Sequence, residues 1–142
     1  MLHEVTPAEG ADTGADAILD AYRQVLRESL DSAGVETVRI ETAVDGDRLE
    51  EIAAGGVTDL SVEEAASILA VGTDRDPDAI VYELRDHLLM GMTTAVVDVD
   101  TLAGAIDADL TGQELQQALE GRTRMTLGQL AQISAALEDR SP

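Results

Sequence analysis

The sequence predicts an all-α fold in which two tandem four-helix units pack around a central long helix. Three observations support this prediction. Apolar residues recur at three- and four-residue steps, which places them on one face of a helix. Signals for helix starts recur at matching places. One segment also occurs twice, as Leu115–Leu137, LQQALEGRTRMTLGQLAQISAAL, and in diverged form as Leu49–Val71, LEEIAAGGVTDLSVEEAASILAV.

The two copies align position by position. Gly55 aligns with Gly121, and three consecutive positions align after one additional residue, Asp59. We therefore predict a first repeat over residues 17–72 and a second over residues 77–138, preceded by a disordered tail over residues 1–16. The three consecutive aligned pairs are Leu60 with Met125, Ser61 with Thr126 and Val62 with Leu127.

Four helices are predicted in the first repeat. The first spans the periodic apolar residues from Ile18 and ends at Gly34, because glycine suits a helix C-cap. A second helix covers Val35–Ala43, and a third covers Asp47–Ala54. The fourth begins at Ser61–Glu64, SVEE, which has the spacing of a capping box.

The second repeat opens with the longest predicted helix, Asp78–Val96, preceded by the start signal Asp76–Pro77. The late part of this helix, LLMGMTTAVV, is apolar on nearly all sides. This pattern predicts burial from several directions, so we expect the helix to be the hub between the repeats. Val99–Ile106 repeats the second helix, and further capping boxes begin at Thr111 and Thr126.

The core is predicted to consist of aliphatic side chains. The 142 residues are 44% hydrophobic, which suffices for a core, yet Tyr22 and Tyr82 are the only aromatic residues among Phe, Trp and Tyr. The absence of cysteine excludes disulfides, thiolate metal sites and cysteine nucleophiles.

The first repeat resembles the helix-turn-helix domains of the Cro and C1 repressor class. A short helix, a tight turn, a second short helix closed by glycine, a loop and an amphipathic helix follow one another as in that class. Val38 and Leu49 have the spacing of inward residues on its two helices, and Val44 lies in the turn. The resemblance implies tandem, degenerate helix-turn-helix-like units.

The second repeat carries the predicted DNA surface. Its Leu102–Ala103 pair and Leu119–Arg122, LEGR, resemble the same class, with a longer turn over Asp107–Leu110. In the first repeat, Glu50 and Glu51 would face phosphate. Glutamine can read adenine, and arginine can hold phosphate. The predicted DNA-binding residues are Thr111, Gln113, Gln116, Gln117, Arg122, Thr123 and Arg124.

The acidic residues are unevenly distributed. Residues 99–142 hold seven acidic residues and three arginines, whereas residues 1–98 hold 22 and six. This distribution favours the second repeat for DNA contact, because basic side chains supply most non-specific affinity. The alternative is that glutamine is simply a good solvent-facing helix residue.

The whole chain is strongly acidic. Nine basic residues, all arginine, oppose 29 acidic residues, so the net charge is −20. This composition resembles that of cytosolic proteins from salt-in halophilic archaea, where a Debye length of about 3 Å screens self-repulsion. We interpret the acidity as solvent adaptation, with an acidic interaction surface or disorder as alternatives. The chain also resembles a family of small acidic haloarchaeal proteins of unknown function, notably in DHLLMGMTTAVVDVDTLA, residues 86–103.

A second binding surface is predicted on the long helix. Its apolar residues can contact another protein or a second copy of the chain, unless the two repeats bury them entirely. The predicted interaction residues are Leu88, Leu89, Met90 and Met92.

No metal, cofactor or catalytic site is predicted. Asp74, Asp76 and Asp78 alternate like calcium-loop ligands, but the closing position falls on Arg85 rather than glutamate. His87 has an ordinary explanation as a surface residue. No nucleophile elbow, phosphate-binding loop or dinucleotide-binding pattern occurs, so neither an enzyme nor a small-molecule substrate is expected.

We therefore hypothesise a non-enzymatic regulatory protein, a DNA-binding transcription regulator of a halophilic archaeon. The alternative is an acidic protein-interaction adaptor built on degenerate helix-turn-helix units. The longest apolar run, Leu88–Val97, is about half the length that spans a bilayer, and Met1–Ala15 lacks a secretory pattern. A cytoplasmic location without a membrane partner is expected.

Overall fold

The computed structural model describes residues 2–7, 14–56, 59–106 and 109–140. Within these ranges the chain forms a short 3-10 helix, Leu2–Glu4, and eight α-helices, and it contains no strand. The predicted all-α class is confirmed. The helices are α1 (Ala15–Ala33), α2 (Val35–Glu41), α3 (Gly46–Ala53), α4 (Val62–Ala70), α5 (Pro77–Ala95), α6 (Val99–Ala105), α7 (Gly112–Leu119) and α8 (Leu127–Arg140).

All three predicted capping boxes are present. The Ser61 hydroxyl accepts a hydrogen bond from the Glu64 amide at 3.1 Å, and the Glu64 carboxylate accepts one from the Ser61 amide at 3.0 Å. Each box satisfies two backbone donors that the first helical turn leaves unpaired. The same reciprocal bonds join Thr111 with Glu114 and Thr126 with Gln129.

Several helix boundaries differ from the prediction by a few residues. α2 ends at Glu41 because Thr42 takes an extended conformation, donates its hydroxyl to the Val38 carbonyl at 2.7 Å and accepts the Val44 amide at 3.3 Å. α8 continues beyond the predicted end of the second repeat to Arg140. The lengthened turn predicted over 107–110 falls partly on residues 107 and 108, which lie outside the described ranges.

A short antiparallel backbone contact joins the two repeats. The Val62 amide donates to the Met125 carbonyl, and the Leu127 amide donates to the Leu60 carbonyl, both at 2.9 Å. Ser61 and Thr126 pair between these bonds. Ser61 therefore meets the position with which it aligns in the sequence, and the alignment converts each of the two flanking bonds into the other. Pairing of equivalent positions is the signature of a twofold relationship, so an approximate twofold axis passes through this contact.

The first helix of each repeat packs on the last helix of the other repeat. α1 packs most extensively against α8, and α5 packs most extensively against α4. Smaller contacts join α1 with α4 and α5 with α8, again in symmetric fashion. The hydroxyl of Tyr22 on α1 meets Ser134 on α8, and burial of the ring raises the pKa of Tyr22 despite this hydrogen bond. α5 does link the repeats, and α1 links them in the same way.

The core is continuous across the axis and aliphatic. Leucine and isoleucine side chains from every α-helix except α2 fill it, and α2 contributes Val38. Burying each such side chain stabilises the fold by about 1.5–3 kcal/mol. Among the core residues that are almost completely buried are Leu26, Leu49, Ile68, Ile80, Leu102, Leu115 and Leu130.

The N-terminal segment differs from the predicted disordered tail. Leu2 is 1% exposed, and the 3-10 helix around it packs against α5. The start of α1 also falls before residue 17. A single apolar residue has no periodicity, so its pattern does not reveal that it docks on a distant helix. The remainder of the predicted tail, residues 8–13, lies outside the described ranges.

The late part of α5 is not buried from several directions as predicted. Leu88 is 2% exposed, but Leu89 is 47%, Met90 is 69% and Val96 is 88% exposed. α4 and α8 cover one side of α5, and no described residue covers the opposite side at these positions.

We expect Gly121→Ala to destabilise the fold by about 1–2 kcal/mol. Gly121 has a φ of +79°, and a Cβ there would overlap the Arg85 guanidinium. Gly104→Ala is the matched control, because Gly104 lies in α6 with nothing within 4 Å of the added Cβ. The control should stabilise by up to about 1 kcal/mol. Urea unfolding followed by far-UV circular dichroism measures the free energy of unfolding of both variants. Equal changes in the two variants would contradict the prediction.

Candidate functional site

An exposed apolar stripe runs along α5. Tyr82, Leu89 and Met90 are 63%, 47% and 69% exposed, and Val96, 88% exposed, follows the last helical residue. Their spacing places them on one side of the helix over about 21 Å. We call these four residues the α5 face.

The helices α1 and α5 are structural counterparts. Both contain 19 residues, and both open their repeat. Their buried faces match along the sequence, which shows that the same packing positions are used in both repeats. The matching buried pairs are Ile18 with Ile80, Tyr22 with Leu84 and Leu26 with Leu88.

The outward faces of these two helices differ in chemistry. In the same register, α1 carries charged residues where α5 carries apolar ones. The fold therefore accepts charge at these positions, and its packing does not require the apolar residues of the α5 face. The matching outward pairs are Asp20 with Tyr82, Arg27 with Leu89, and Glu28 with Met90.

Val96 adds local strain to the α5 face. Its φ of 56° and ψ of 50° lie in the left-handed region, which costs a β-branched residue more than glycine. α1 ends at this place with Gly34, at φ 87°. A strained, exposed valine where the counterpart helix has glycine is unfavourable for the isolated fold, and such strain concentrates at functional positions.

Two carboxylates accompany the apolar stripe. Asp86 lies within it by helical spacing, and Asp98 lies just beyond Val96. Both are exposed, and neither forms an ion pair in the described part of the chain. The Thr101 amide donates to Asp98 at 2.7 Å, and this bond lowers the pKa of Asp98, which therefore stays ionised at neutral pH.

The predicted interaction residues are thus split between core and surface. Leu88 is buried and Met92 is half-buried, whereas Leu89 and Met90 are exposed. Tyr82 and Val96 were not predicted. Their seven-residue steps from Leu89 are the sequence signal that would have found them.

The predicted DNA-binding residues lie on and after α7. Thr111 is the capping residue of α7, and Gln113 and Gln116 are exposed. Gln117 is half-buried. The Gln116 side-chain amide donates to Glu120 at 2.7 Å.

The two arginines after α7 contact carboxylates of the protein itself. Arg122 lies 3.5 Å from Glu120. Arg124 crosses to the first repeat, where it meets the Asp59 carboxylate at 3.4 Å and Glu64 at 3.5 Å. Thr123 between them is exposed. The structure therefore brings the predicted residues together but pairs both cations.

Arg124 belongs to a cluster beside the twofold contact. Arg48 donates to both oxygens of Glu64, one of them at 3.0 Å, and also contacts the Asp59 carbonyl. Burial alone would raise the pKa of Glu64, but hydrogen bonds from Arg48 and the Ser61 amide outweigh it and lower that pKa. The cluster links the two repeats through these ion pairs. Arg124 and Glu64 lie far apart along the chain, so no local sequence pattern indicates this pairing.

The other features of the described structure are weaker candidates for a functional site. A shallow cleft of about 740 Å³ between α1, α6 and α8 is lined by four alanines and by polar and charged residues that include Gln132, Glu138 and Arg140. His3 and His87 have ring centroids 5.6 Å apart. In the described ranges no three histidine, aspartate or glutamate side chains are grouped to hold a metal ion. No single described helix has the length and apolarity to cross a membrane, and α5 with α6 reaches them only as a pair bent by 93°.

The sequence comparison extends over nearly all of this structure. Residues 18–140 match a family of unknown function, DUF5791. The chain belongs to this family. The DUF5791 match runs from α1 to α8 and so includes both repeats, which agrees with their exchanged helices and continuous core. The chain matches no curated protein and no solved structure.

We expect Glu64→Gln to reduce stability at pH 7 by about 1 kcal/mol, because the ion pair with Arg48 is lost while glutamine can keep the capping box. The pKa of Glu64 is lowered by folding, so its contribution is present above the unfolded value of about 4.3 and disappears as pH falls through the folded value. The difference between the variant and the unmodified protein should therefore shrink below about pH 4.

Urea unfolding at constant ionic strength, from pH 7 to pH 3, measures this difference. Glu50→Gln is the control, since Glu50 is exposed on α3 and forms no ion pair among the described residues. A Glu64→Gln deficit that stays constant with pH would contradict the assignment.

Proposed function

We propose that this DUF5791 protein is a non-catalytic, regulatory binding protein that docks a partner protein on the α5 face. The observation that supports the proposal is the contrast between α5 and α1. Two helices with matching buried faces have outward faces of opposite chemistry, and only that of α5 is apolar. Exposed apolar patches bounded by polar residues mark interaction surfaces.

The energetics favour docking at these positions. Removing apolar area from water contributes about 25 cal/mol per Å², and Met90 and Val96 expose most of their side chains. In protein interfaces a few central aromatic and apolar side chains contribute most of the binding energy. Tyr82 adds a ring with a hydroxyl that can remain hydrated at the edge of an interface.

We expect Met90→Glu to abolish partner binding, because the substitution removes an apolar side chain from the middle of the stripe and replaces it with a carboxylate that is costly to remove from water. The matched control is Gln24→Glu, which adds the same charge to an exposed position of α1. Both variants should keep the far-UV circular dichroism of the unmodified protein. Affinity capture from cells of the source organism, with quantitative mass spectrometry, should recover a partner with the control and lose it with Met90→Glu. Recovery of the same proteins by both variants would reject the proposal.

A second candidate is DNA binding by α7, in a transcription regulator of a halophilic archaeon. It is supported by the difference between α7 and its counterpart α3. In the same register, Asp47, Glu50 and Glu51 of α3 are replaced by Gln113, Gln116 and Gln117, which can read base edges. The pairing of Arg122 and Arg124 within the protein argues for the α5 face as the leading candidate.

For this second candidate, we expect replacement of Gln113 and Gln116 by alanine to weaken retention of genomic DNA fragments at least about thirtyfold in molar KCl, since each lost base contact costs about 1–3 kcal/mol. Gln24→Ala on α1 is the control. The measurement is filter retention followed by sequencing of the bound fragments. Failure of the unmodified protein to retain any fragment would eliminate DNA binding.

A further inference from the structure

We infer that the partner docked on the α5 face is an amphipathic helix whose apolar stripe is flanked by arginine or lysine. The inference rests on the proposed function and adds the chemistry of the partner. It follows from the shape of the α5 face, from the two carboxylates that accompany it, and from the lack of an unpaired arginine among the described residues of the face.

The shape of the α5 face suits a helix. Tyr82 and Val96 are separated by about four helical turns, so the exposed apolar residues form one straight ridge of about 21 Å. A second helix can follow such a ridge, placing its own apolar residues at steps of three and four against it. The described structure has no strand whose edge could extend a partner strand.

The charges of the α5 face require a cationic partner. Asp86 lies within the stripe, so a docked partner removes its carboxylate from water. A desolvated carboxylate is costly unless a cation pairs with it, and an arginine can do so with two hydrogen bonds. Asp98 sets a second negative charge beyond the far end of the stripe. The net charge of −20 attracts a basic helix before contact.

A second copy of this chain does not meet that requirement. In a twofold interface each copy presents the same surface, so the cation for Asp86 would have to come from the partner's α5 face. The nearest arginine of α5, Arg85, is already engaged within its own chain. Its guanidinium lies over Gly121, 5.8 Å from the Tyr82 ring centroid and 3.4 Å from Glu63. His87 is the basic neighbour that remains, and its ring lies near that of His3.

The test uses a synthetic helical peptide of about 18 residues, long enough to follow the stripe. It carries leucines along one side and arginines on both edges of that side, and it contains no aromatic residue. A matched peptide has glutamate in place of every arginine. The Tyr22→Phe variant leaves Tyr82 as the one tyrosine of a chain without tryptophan, so tyrosine fluorescence reports events at the α5 face.

The arginine peptide should change Tyr82 emission saturably, and the glutamate peptide should not. Asp86→Asn should weaken binding of the arginine peptide about tenfold, and affinity should fall as KCl rises from about 0.1 M to 1 M. Asp31→Asn removes the same charge from the exposed face of α1 and should leave the affinity unchanged. Val96→Gly relieves backbone strain, so this variant should stay folded and still bind the peptide more weakly.

Equal weakening by Asp86→Asn and Asp31→Asn would overturn the inference, because attraction to any acidic surface would then explain binding. So would equal binding of both peptides, or self-association in sedimentation experiments that strengthens with salt and is lost in Met90→Glu. In those cases the inferred chemistry of the partner is wrong. The proposed function still holds if affinity capture recovers a partner through the α5 face. If Met90→Glu changes neither capture nor peptide binding, both proposals fail.

Discussion

Two backbone hydrogen bonds, between Leu60–Val62 and Met125–Leu127, fix the relation between the halves of this protein. The sequence alignment converts each bond into the other and pairs Ser61 with its counterpart Thr126, so the repeats are related by an approximate twofold axis. The contact also sets the starts of α4 and α8 side by side, within a buried core. With these two helices at the centre, α1 and α5 each pack most extensively on the last helix of the other repeat. The exchanged packing makes the two repeats mutually dependent.

This arrangement separates what the fold needs from what the surface can vary. The inward faces of α1 and α5 carry equivalent apolar residues, and Leu49 of α3 corresponds to Leu115 of α7. The outward faces have diverged in both helix pairs. Charged side chains of the first repeat are replaced by apolar ones on α5, and acidic side chains are replaced by glutamines on α7. Both proposed binding surfaces therefore lie on the second repeat.

The arginines mainly form ion pairs with carboxylates of the protein itself. Arg48 and Arg124 hold Glu64, Arg75 pairs with Glu83 at 2.5 Å, and Arg122 lies near Glu120. Exposed pairs of this kind contribute about 0–1 kcal/mol each, so they position side chains more than they stabilise the fold. Their larger consequence is electrostatic. Most of the few cations are neutralised locally, and the exposed surface remains negative.

The sequence by itself determined the helices, their caps and the register of the repeat, because these depend on interactions within about four residues, as between Ser61 and Glu64. It also identified most of the core, since Leu115 and its counterparts follow helical spacing. Only the tertiary structure decided that Leu2 is buried, that Arg124 reaches Glu64, and that Met90 faces solvent while Leu88 does not. When a helix is apolar on all sides, its sequence does not indicate which side is buried. The helices that pack against α5 come from distant parts of the chain, and their positions determine which of its sides remains exposed.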